Sequence, residues 1–408
     1  MSKALGLLPS WYWPEGVQRY LSAPRVPLYD LTVGRWVRRY GDDPALVTDA
    51  ETQDFRRLDA ACAAVAAACA TRFPGQSPRI ALAVRSPADF AALFLGLARA
   101  GATVLVLDGE SDAGPSQALT EFAAQLIVSD SRVTAGGPGP REEPAALLGG
   151  ATGGPPPARP SVDPAAPSVA LPGKEGIAWH SHMSLMSAAM AFAAFVALRP
   201  DRRLLVGRPP GAWETLVGML AALQVGAPAL LAGSVEADEA SGLVGRAAPG
   251  LVWLPASAAE SLLGSSALAG AMRAAGAHLM LTTTEPFPKH TRRALRRRLG
   301  TAVLTLYGYP ETGPIAAAHP SWYLDEAIGI PMTGVDLIPL NPRTGRPADL
   351  PWAALSYAGI GVRTRALAAN ARRRNGDGGQ VDAEWYATGD LGLIDANGML
   401  FLWGPRRP

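Results

Sequence analysis

The sequence predicts an α/β protein: two α/β subdomains with mainly parallel sheets, carrying a small distorted β-barrel subdomain at the C-terminal end. Three observations lead there. Apolar runs of strand length alternate with helix-length amphipathic or alanine-rich runs from about residue 30 to 130, and a second such series occupies residues 166 to 315. Beyond Glu311 the helical patterns give way to short apolar runs separated by the turn signals "NPRTG", "RNGDGG" and "DANG". With 408 residues, 48% hydrophobic and 18% charged, the chain has ordinary globular composition and ample length for a large core.

The first series reads in order as an amphipathic "LTVGRWVRRYG", a short "ALVT", an alanine-rich helix, "RIALAV", "ADFAALFLGLARAG", "ATVLVL" and "QLIVSD". Apolar runs on strands that alternate with helices imply a parallel sheet covered by those helices. Residues 132 to 167 are too rich in Gly and Pro for regular structure and read as a mobile surface linker. The second series runs through a helix after Trp179, "RLLVGRPP", a helix from Trp213, "APALLAG", "GLVWLPA", "AHLMLTTTEP", a basic helix and "AVLTLYGYP". Domain boundaries are therefore expected at 1–165, 166–315 and 316–408.

Composition excludes several classes. Net charge is +2, and the densest basic run, His290 to Gly300, lacks interleaved aromatics, so it reads as the solvated face of one helix and nucleic acid is not an expected partner. Cys62 and Cys69, seven apart on one helical face, read as reduced core thiols. The first residues lack a secretory apolar run, and the longest apolar stretch, 186 to 198, is too short to span a bilayer. A cytoplasmic protein without a membrane span is expected.

The stretch "SVALPGKEGIAWHSH", residues 168–182, is organised like a phosphate loop whose loop is missing. Such a loop needs several glycines and hydroxyls before its lysine so that consecutive amides converge on phosphate oxygens, yet only Gly173 directly precedes Lys174. Together with "LTTTEPFP" and its basic helix, "YGYPETG" at 307–313, "EAIGIPMTGVDLIPLNPRTG" at 326–345 and "WYATGDLG" at 385–392, it resembles the adenylate-forming superfamily in motif order and spacing. That superfamily includes acyl- and aryl-CoA synthetases, luciferase-like enzymes and peptide-synthetase adenylation domains, and the resemblance covers nearly the whole chain.

The resemblance implies the superfamily's N-terminal AMP-binding body, ATP or AMP and Mg as cofactors, and activation of a carboxylic acid as acyl-AMP for transfer to CoA or an acyl carrier protein, as in secondary metabolism. It assigns Lys174 and Glu311 as catalytic, with Glu311 also holding magnesium, as suits a hard oxygen ligand. It places Thr283, Thr284, Glu285, Tyr307, Gly308 and Asp390 around the nucleotide, with Arg406 at the hinge. Gly211, Trp213 and Tyr309 are expected to line the substrate pocket. Asp390, on a tight turn after Thr388 and Gly389, is suited to accept from both ribose hydroxyls.

Departures carry equal weight. The loop is eroded, Pro310 replaces the usual threonine and removes a backbone donor, and "RPPGAW" stands where a histidine often precedes the acyl-site helix. His180, His182, His278, His290 and His319 are too scattered for a metal site and read as structural or solvated. The sequence stops at "FLWGPRRP", so the C-terminal lid domain with its lysine is expected to be absent and a partner protein could supply it. Two readings follow: an adenylate-forming enzyme with impaired or partner-dependent activity, or a catalytically degenerate relative that binds an acyl group, a nucleotide or a protein without turnover.

Overall fold

The computed structural model describes residues 13–108, 115–130, 140–149, 160–174, 176–233, 237–348, 357–371 and 385–405. Three sheets organise them. A six-stranded sheet runs Arg141–Glu142, Leu126–Ser129, Arg79–Ala83, Thr103–Val106, Pro167–Gly173 and Gly176–Ser181. Its neighbours are parallel except for the final hairpin. A nine-stranded sheet runs Ile330–Pro331, Gly313–Ala317, Val303–Tyr309, His278–Thr282, Leu251–Pro255, Leu204–Gly207, Ala229–Ala232, Pro44–Val47 and Thr52–Asp54. It is parallel from Val303–Tyr309 to Pro44–Val47 and antiparallel at its ends. A separate four-stranded antiparallel sheet comprises Val335–Leu340, Ala358–Thr364, Tyr386–Ile394 and Leu400–Pro405.

The apolar runs explain this arrangement, because a strand covered by helices on both faces has no solvent side to alternate with. Leu204–Gly207, Ala229–Ala232 and Leu251–Pro255 are buried at every position. Their covering helices start at local stop signals. Asp54 caps Phe55–Arg72 by accepting from the Arg57 N–H at 2.7 Å. Ser86 caps Pro87–Arg99, with Pro87 in the first turn where its missing N–H costs nothing. Ser181 and Ser184 form a reciprocal capping box on His182–Phe195. The helix Trp213–Gln224 buries all but its last residue and is enclosed by the nine-stranded sheet and the neighbouring helix His182–Phe195.

The sheets interleave along the chain. The hairpin at 167–181 completes the N-terminal six-stranded sheet, while Pro44–Val47 and Thr52–Asp54 join the nine-stranded one. The strands up to Pro331 also extend the nine-stranded sheet, so the antiparallel unit begins at Val335. The two large sheets meet where Gly211 abuts the backbone beyond Thr103–Val106: a Cβ on Gly211 would lie 1.9 Å from the Leu107 carbonyl oxygen. The N-terminal segment straps the antiparallel unit, with Arg19 donating to the Val335 carbonyl at 2.8 Å and to Asp336 at 3.0 Å.

Two expectations need correction. The Gly/Pro stretch read as a linker contains the strand Arg141–Glu142 and the helix Pro144–Leu148, whose Leu147 is buried; much of the rest of 132 to 167 lies outside the described residues. The basic helix Lys289–Leu299 is not uniformly solvated, because Arg292 is buried and donates to the Leu324 and Ala327 carbonyls and the Thr305 hydroxyl. A planar guanidinium with five donors can satisfy several inward-facing oxygens at once, a role its sequence neighbours do not reveal. Cys62 and Cys69 are free, buried thiols, with burial pushing Cys69 up to about 11.

His180 and His182 are also buried, on the strand and helix that flank the capping box. The His180 Nε2 lies 2.7 Å from the Pro310 carbonyl, which only accepts, so Nε2 carries the proton. Burial lowers both imidazoles to about 4, opposed at His180 by that carbonyl. The unfolded chain, with histidines near 6.5, binds more protons than the folded one between these values, so stability falls as pH drops from about 6.5 towards about 4. Each histidine contributes up to about 1.4 kcal/mol per pH unit. Urea unfolding across that range should show this slope, and His182→Leu should flatten it whatever it does to absolute stability. At the sheet junction, Gly211→Ala should cost about 2–4 kcal/mol in the same assay, because neither backbone can retreat without parting the two sheets.

Candidate active site

The site forms where the hairpin tip, one edge region of the nine-stranded sheet and the antiparallel sheet converge. The hairpin strands stay paired up to Gly173 opposite Gly176. That leaves two residues between them, the shortest common hairpin connection. Glycine is required at both ends for different reasons: a Cβ on Gly173 would lie 2.4 Å from Glu311 Oε1, and Gly176 has φ +104° with Glu121 beside it. The Lys174 N–H at the tip donates to Glu311 Oε1 at 2.6 Å. The tip amide that would face a phosphate in an open loop is therefore held by a carboxylate.

Glu311 sits in the turn that ends Val303–Tyr309. The Thr312 N–H donates to the Tyr309 carbonyl at 3.1 Å, which puts Pro310 at the second turn position, where its fixed φ is favourable. The proline thus removes no bond the turn uses, and its carbonyl accepts from His180. The Thr312 hydroxyl donates to the Gly313 carbonyl at 3.0 Å. Glu311 is 8% exposed, and its second oxygen, Oε2, is buried without a hydrogen-bond partner.

Tyr307 and Tyr309 are two apart on one strand and so share a face. Their rings meet edge to face at 5.3 Å, and both hydroxyls donate to Asp390 Oδ2, that of Tyr307 at 2.5 Å. Burial first, then the neighbouring tyrosine and carboxylate, raises the Tyr307 phenol well above its usual range, and Tyr309 is raised likewise by burial and by its bond to Asp390. Both remain protonated donors. Asp390 is only 2% exposed, and its own N–H donates to the Thr388 hydroxyl at 3.2 Å.

Lys174 closes the cluster. Its Nζ donates to the Thr388 carbonyl at 3.0 Å, lies 3.4 and 3.5 Å from the Asp390 oxygens, and stands 3.6 Å from the centre of the Tyr309 ring. One cation thus serves a carboxylate, a carbonyl and an aromatic face. A cavity of about 110 Å³ opens beside it, lined by Glu311, Asn370, Tyr386, Thr388 and Gly389 among others.

The structure brings together Lys174, Glu311, Tyr307, Tyr309 and Asp390. Tyr309, expected in a substrate pocket, has its hydroxyl on Asp390 and its face under Lys174. Gly308 pairs with Pro314 across the strand pair between them. Thr283 follows the adjacent strand and bonds the Leu306 carbonyl, but its hydroxyl is spent on Glu285 in a local turn, and Thr284 and Glu285 are exposed. Trp213 packs edge to face on Trp253, which stacks on Phe192 at 4.5 Å. Arg406 lies outside the described residues. Among the described residues no group of three or more His, Cys, Asp or Glu could hold a metal ion, so Glu311 is the one metal candidate carried from the sequence.

Two features escaped the sequence reading. Asn370 clamps the hairpin strand, accepting from the Trp179 N–H at 3.0 Å and donating to the Ile177 carbonyl at 2.6 Å; an isolated asparagine in a polar stretch gives no signal. Arg208 and buried Glu214 form a 3.6 Å ion pair at the start of the Trp213–Gln224 helix. Their spacing, across a Pro-Pro-Gly turn and into a helix N-terminus, is a weak signal at best.

Residues 177–351 match the family described as AMP-binding enzyme. ATP-bound MatB from Rhodopseudomonas palustris is 20% identical, with a TM-score of 0.77 over 94% of this chain and 79% of that one. The long-chain-fatty-acid-CoA ligase FadD1 from Archaeoglobus fulgidus is 14% identical, with a TM-score of 0.79 over 97% and 87%. O-succinylbenzoate Coenzyme A synthetase (MenE) from Bacillus subtilis, in complex with AMP, is 15% identical, with a TM-score of 0.76 over 94% and 79%. No curated protein matches the sequence. The segment carrying Tyr307, Tyr309 and Glu311 matches the AMP-binding enzyme family, and the chain around it shares the fold of these ligase structures.

Proposed function

We propose that the chain is an adenylate-forming ligase-like protein that holds AMP or an acyl-adenylate at Asp390 and activates a carboxylic acid, with CoA or a carrier protein as acceptor. The observation that supports this most directly is the convergence of Tyr307, Asp390, Lys174 and Glu311 from three distant segments into one cluster, with Lys174 and Glu311 lining the cavity beside it. Asp390 is a carboxylate acceptor suited to vicinal hydroxyls, and Tyr307 holds its orientation. Lys174 supplies positive charge where an adenylate phosphate would lie. In the reaction proposed, an oxygen of the acid attacks the α-phosphorus of ATP and pyrophosphate leaves, so the chain must orient two anions that repel each other.

The orphaned Glu311 Oε2 fits a magnesium ligand, being a buried hard oxygen with a free lone pair. Magnesium bound there would neutralise phosphate charge. Glu311 itself positions the tip through the Lys174 N–H. Thr283 and the aromatic group of Trp213, Trp253 and Phe192 are proposed to border the adenine and acyl sides. A protein partner supplying a lid belongs to the same proposal.

A second reading, binding without turnover, is favoured by one observation: the tip N–H of Lys174 is already donated to Glu311, so the short hairpin offers a triphosphate little to converge on. Calorimetry should accordingly find AMP, or a non-hydrolysable acyl-adenylate, bound more tightly than ATP. Asp390→Asn should cost on the order of 1.5 to 3 kcal/mol of AMP binding with the fold intact by circular dichroism. Equal AMP affinity in that variant would refute the assignment.

ATP–pyrophosphate exchange by the purified chain should be very slow and thioester formation from CoA undetectable, since losing a single aimed donor typically costs about 100- to 1,000-fold. Tight adenylate binding without exchange for any acid in a broad panel would select the second reading. Rapid thioester formation abolished by Lys174→Ala would mean that another backbone segment holds the phosphates.

A further inference from the structure

We infer that Lys174 is a specificity-determining residue: it occupies the Asp390 carboxylate in the free protein, so only a ligand that joins a vicinal diol to an anion can take its place. The inference rests on the nucleotide reading above. Its basis is the direction from which Asp390 can be reached. Tyr307 is fully buried, Tyr309 is 5% exposed and Asp390 2%, whereas the Lys174 side chain is 37% exposed. Both phenols load Oδ2, while Lys174 lies 3.4 Å from Oδ1 and 3.5 Å from Oδ2. The cavity lined by Lys174, Tyr386, Thr388 and Gly389 lies on this open side. An incoming diol therefore meets the ammonium before it meets the carboxylate.

Displacement costs the ammonium three partners: Asp390, the Thr388 carbonyl and the Tyr309 face. A neutral diol repays the carboxylate with its hydroxyls and brings the displaced cation no anion of its own. A nucleoside monophosphate repays both, because its phosphate is fixed a short distance from its diol and the lysine, tethered at the hairpin tip, can turn to it. Glu311 and Glu121 on either side of the tip raise the cost of any further negative charge. The site is thus tuned to one phosphate and one diol. Lys174 in this role differs from an ordinary phosphate ligand, which would leave the affinity for a neutral nucleoside untouched.

The test compares AMP and adenosine by calorimetry on the full chain and on Lys174→Met. Adenosine affinity should rise by about tenfold in the variant, the weight of one charge-assisted hydrogen bond, and the preference for AMP should shrink by about tenfold or more. Unchanged adenosine affinity with weakened AMP binding would make Lys174 a plain phosphate contact and overturn the inference. A second measurement does not depend on nucleotide: acetylation of Lys174 by an amine-reactive ester, read by peptide mass spectrometry, should be faster in Asp390→Asn than in the parent. Equal rates would show that Asp390 does not hold the lysine and would also overturn it. If neither protein binds either nucleoside while acetylation is still faster in Asp390→Asn, the nucleotide reading fails and the held ammonium stands.

Discussion

The site depends on the need to satisfy one buried carboxylate. Asp390 is held almost wholly out of water, where an ionised group without partners is far too costly to persist. Its partners come from elsewhere in the chain: Tyr307 and Tyr309 from the edge region of the nine-stranded sheet, and Lys174 from the tip of a hairpin belonging to the six-stranded sheet. The carboxylate itself stands on the antiparallel sheet. One charge therefore ties together all three sheets. Removing Asp390 would leave the buried hydroxyls of Tyr307 and Tyr309 without their acceptor, which is more expensive than the bonds themselves are worth.

The same requirement accounts for the contacts that Lys174 makes at the hairpin tip. A loop that wraps phosphate must leave its amides unspent, and such amides are stable only in water or against an anion. At the tip found here, Lys174 spends its amide on Glu311 and its ammonium on Asp390, so both of its donor groups have partners within the chain. Pro310 belongs to the same economy of local bonds: it fits its turn, and its carbonyl takes the proton of a buried neutral histidine. Features that look like losses in the linear motif are self-consistent contacts in three dimensions.

What the sequence reveals follows from the range of the forces involved. Strands buried on both faces declare themselves as apolar runs, and helix starts at Asp54, Ser86 and Ser181 are local capping events, so the α/β alternation was legible residue by residue. Tyr307, Glu311 and Asp390 were legible because their motifs are short. The pairing of strands was not: Pro44–Val47 crosses to the nine-stranded sheet, and 167–181 returns to the six-stranded one, through contacts no window of sequence contains. The buried Arg292 was equally hidden, since a run of arginines reads as solvated until its neighbours supply inward-facing carbonyls.

The contact between Lys174 and Asp390 shows where this limit matters for function. Each residue was identifiable alone, and each was expected to serve a ligand. That they serve one another, across 216 positions, follows only from the geometry of the tip. A cation and a carboxylate that both await a ligand in separate loops would each carry a desolvation cost in the free protein. Bringing them within 3.4 Å cancels much of that cost and transfers it to the moment of binding. On the nucleotide reading proposed above, affinity is lowered for every ligand that engages one of the two and preserved for those that engage both. The geometry of the tip thus has a single physical outcome, a cluster closed by its own charges.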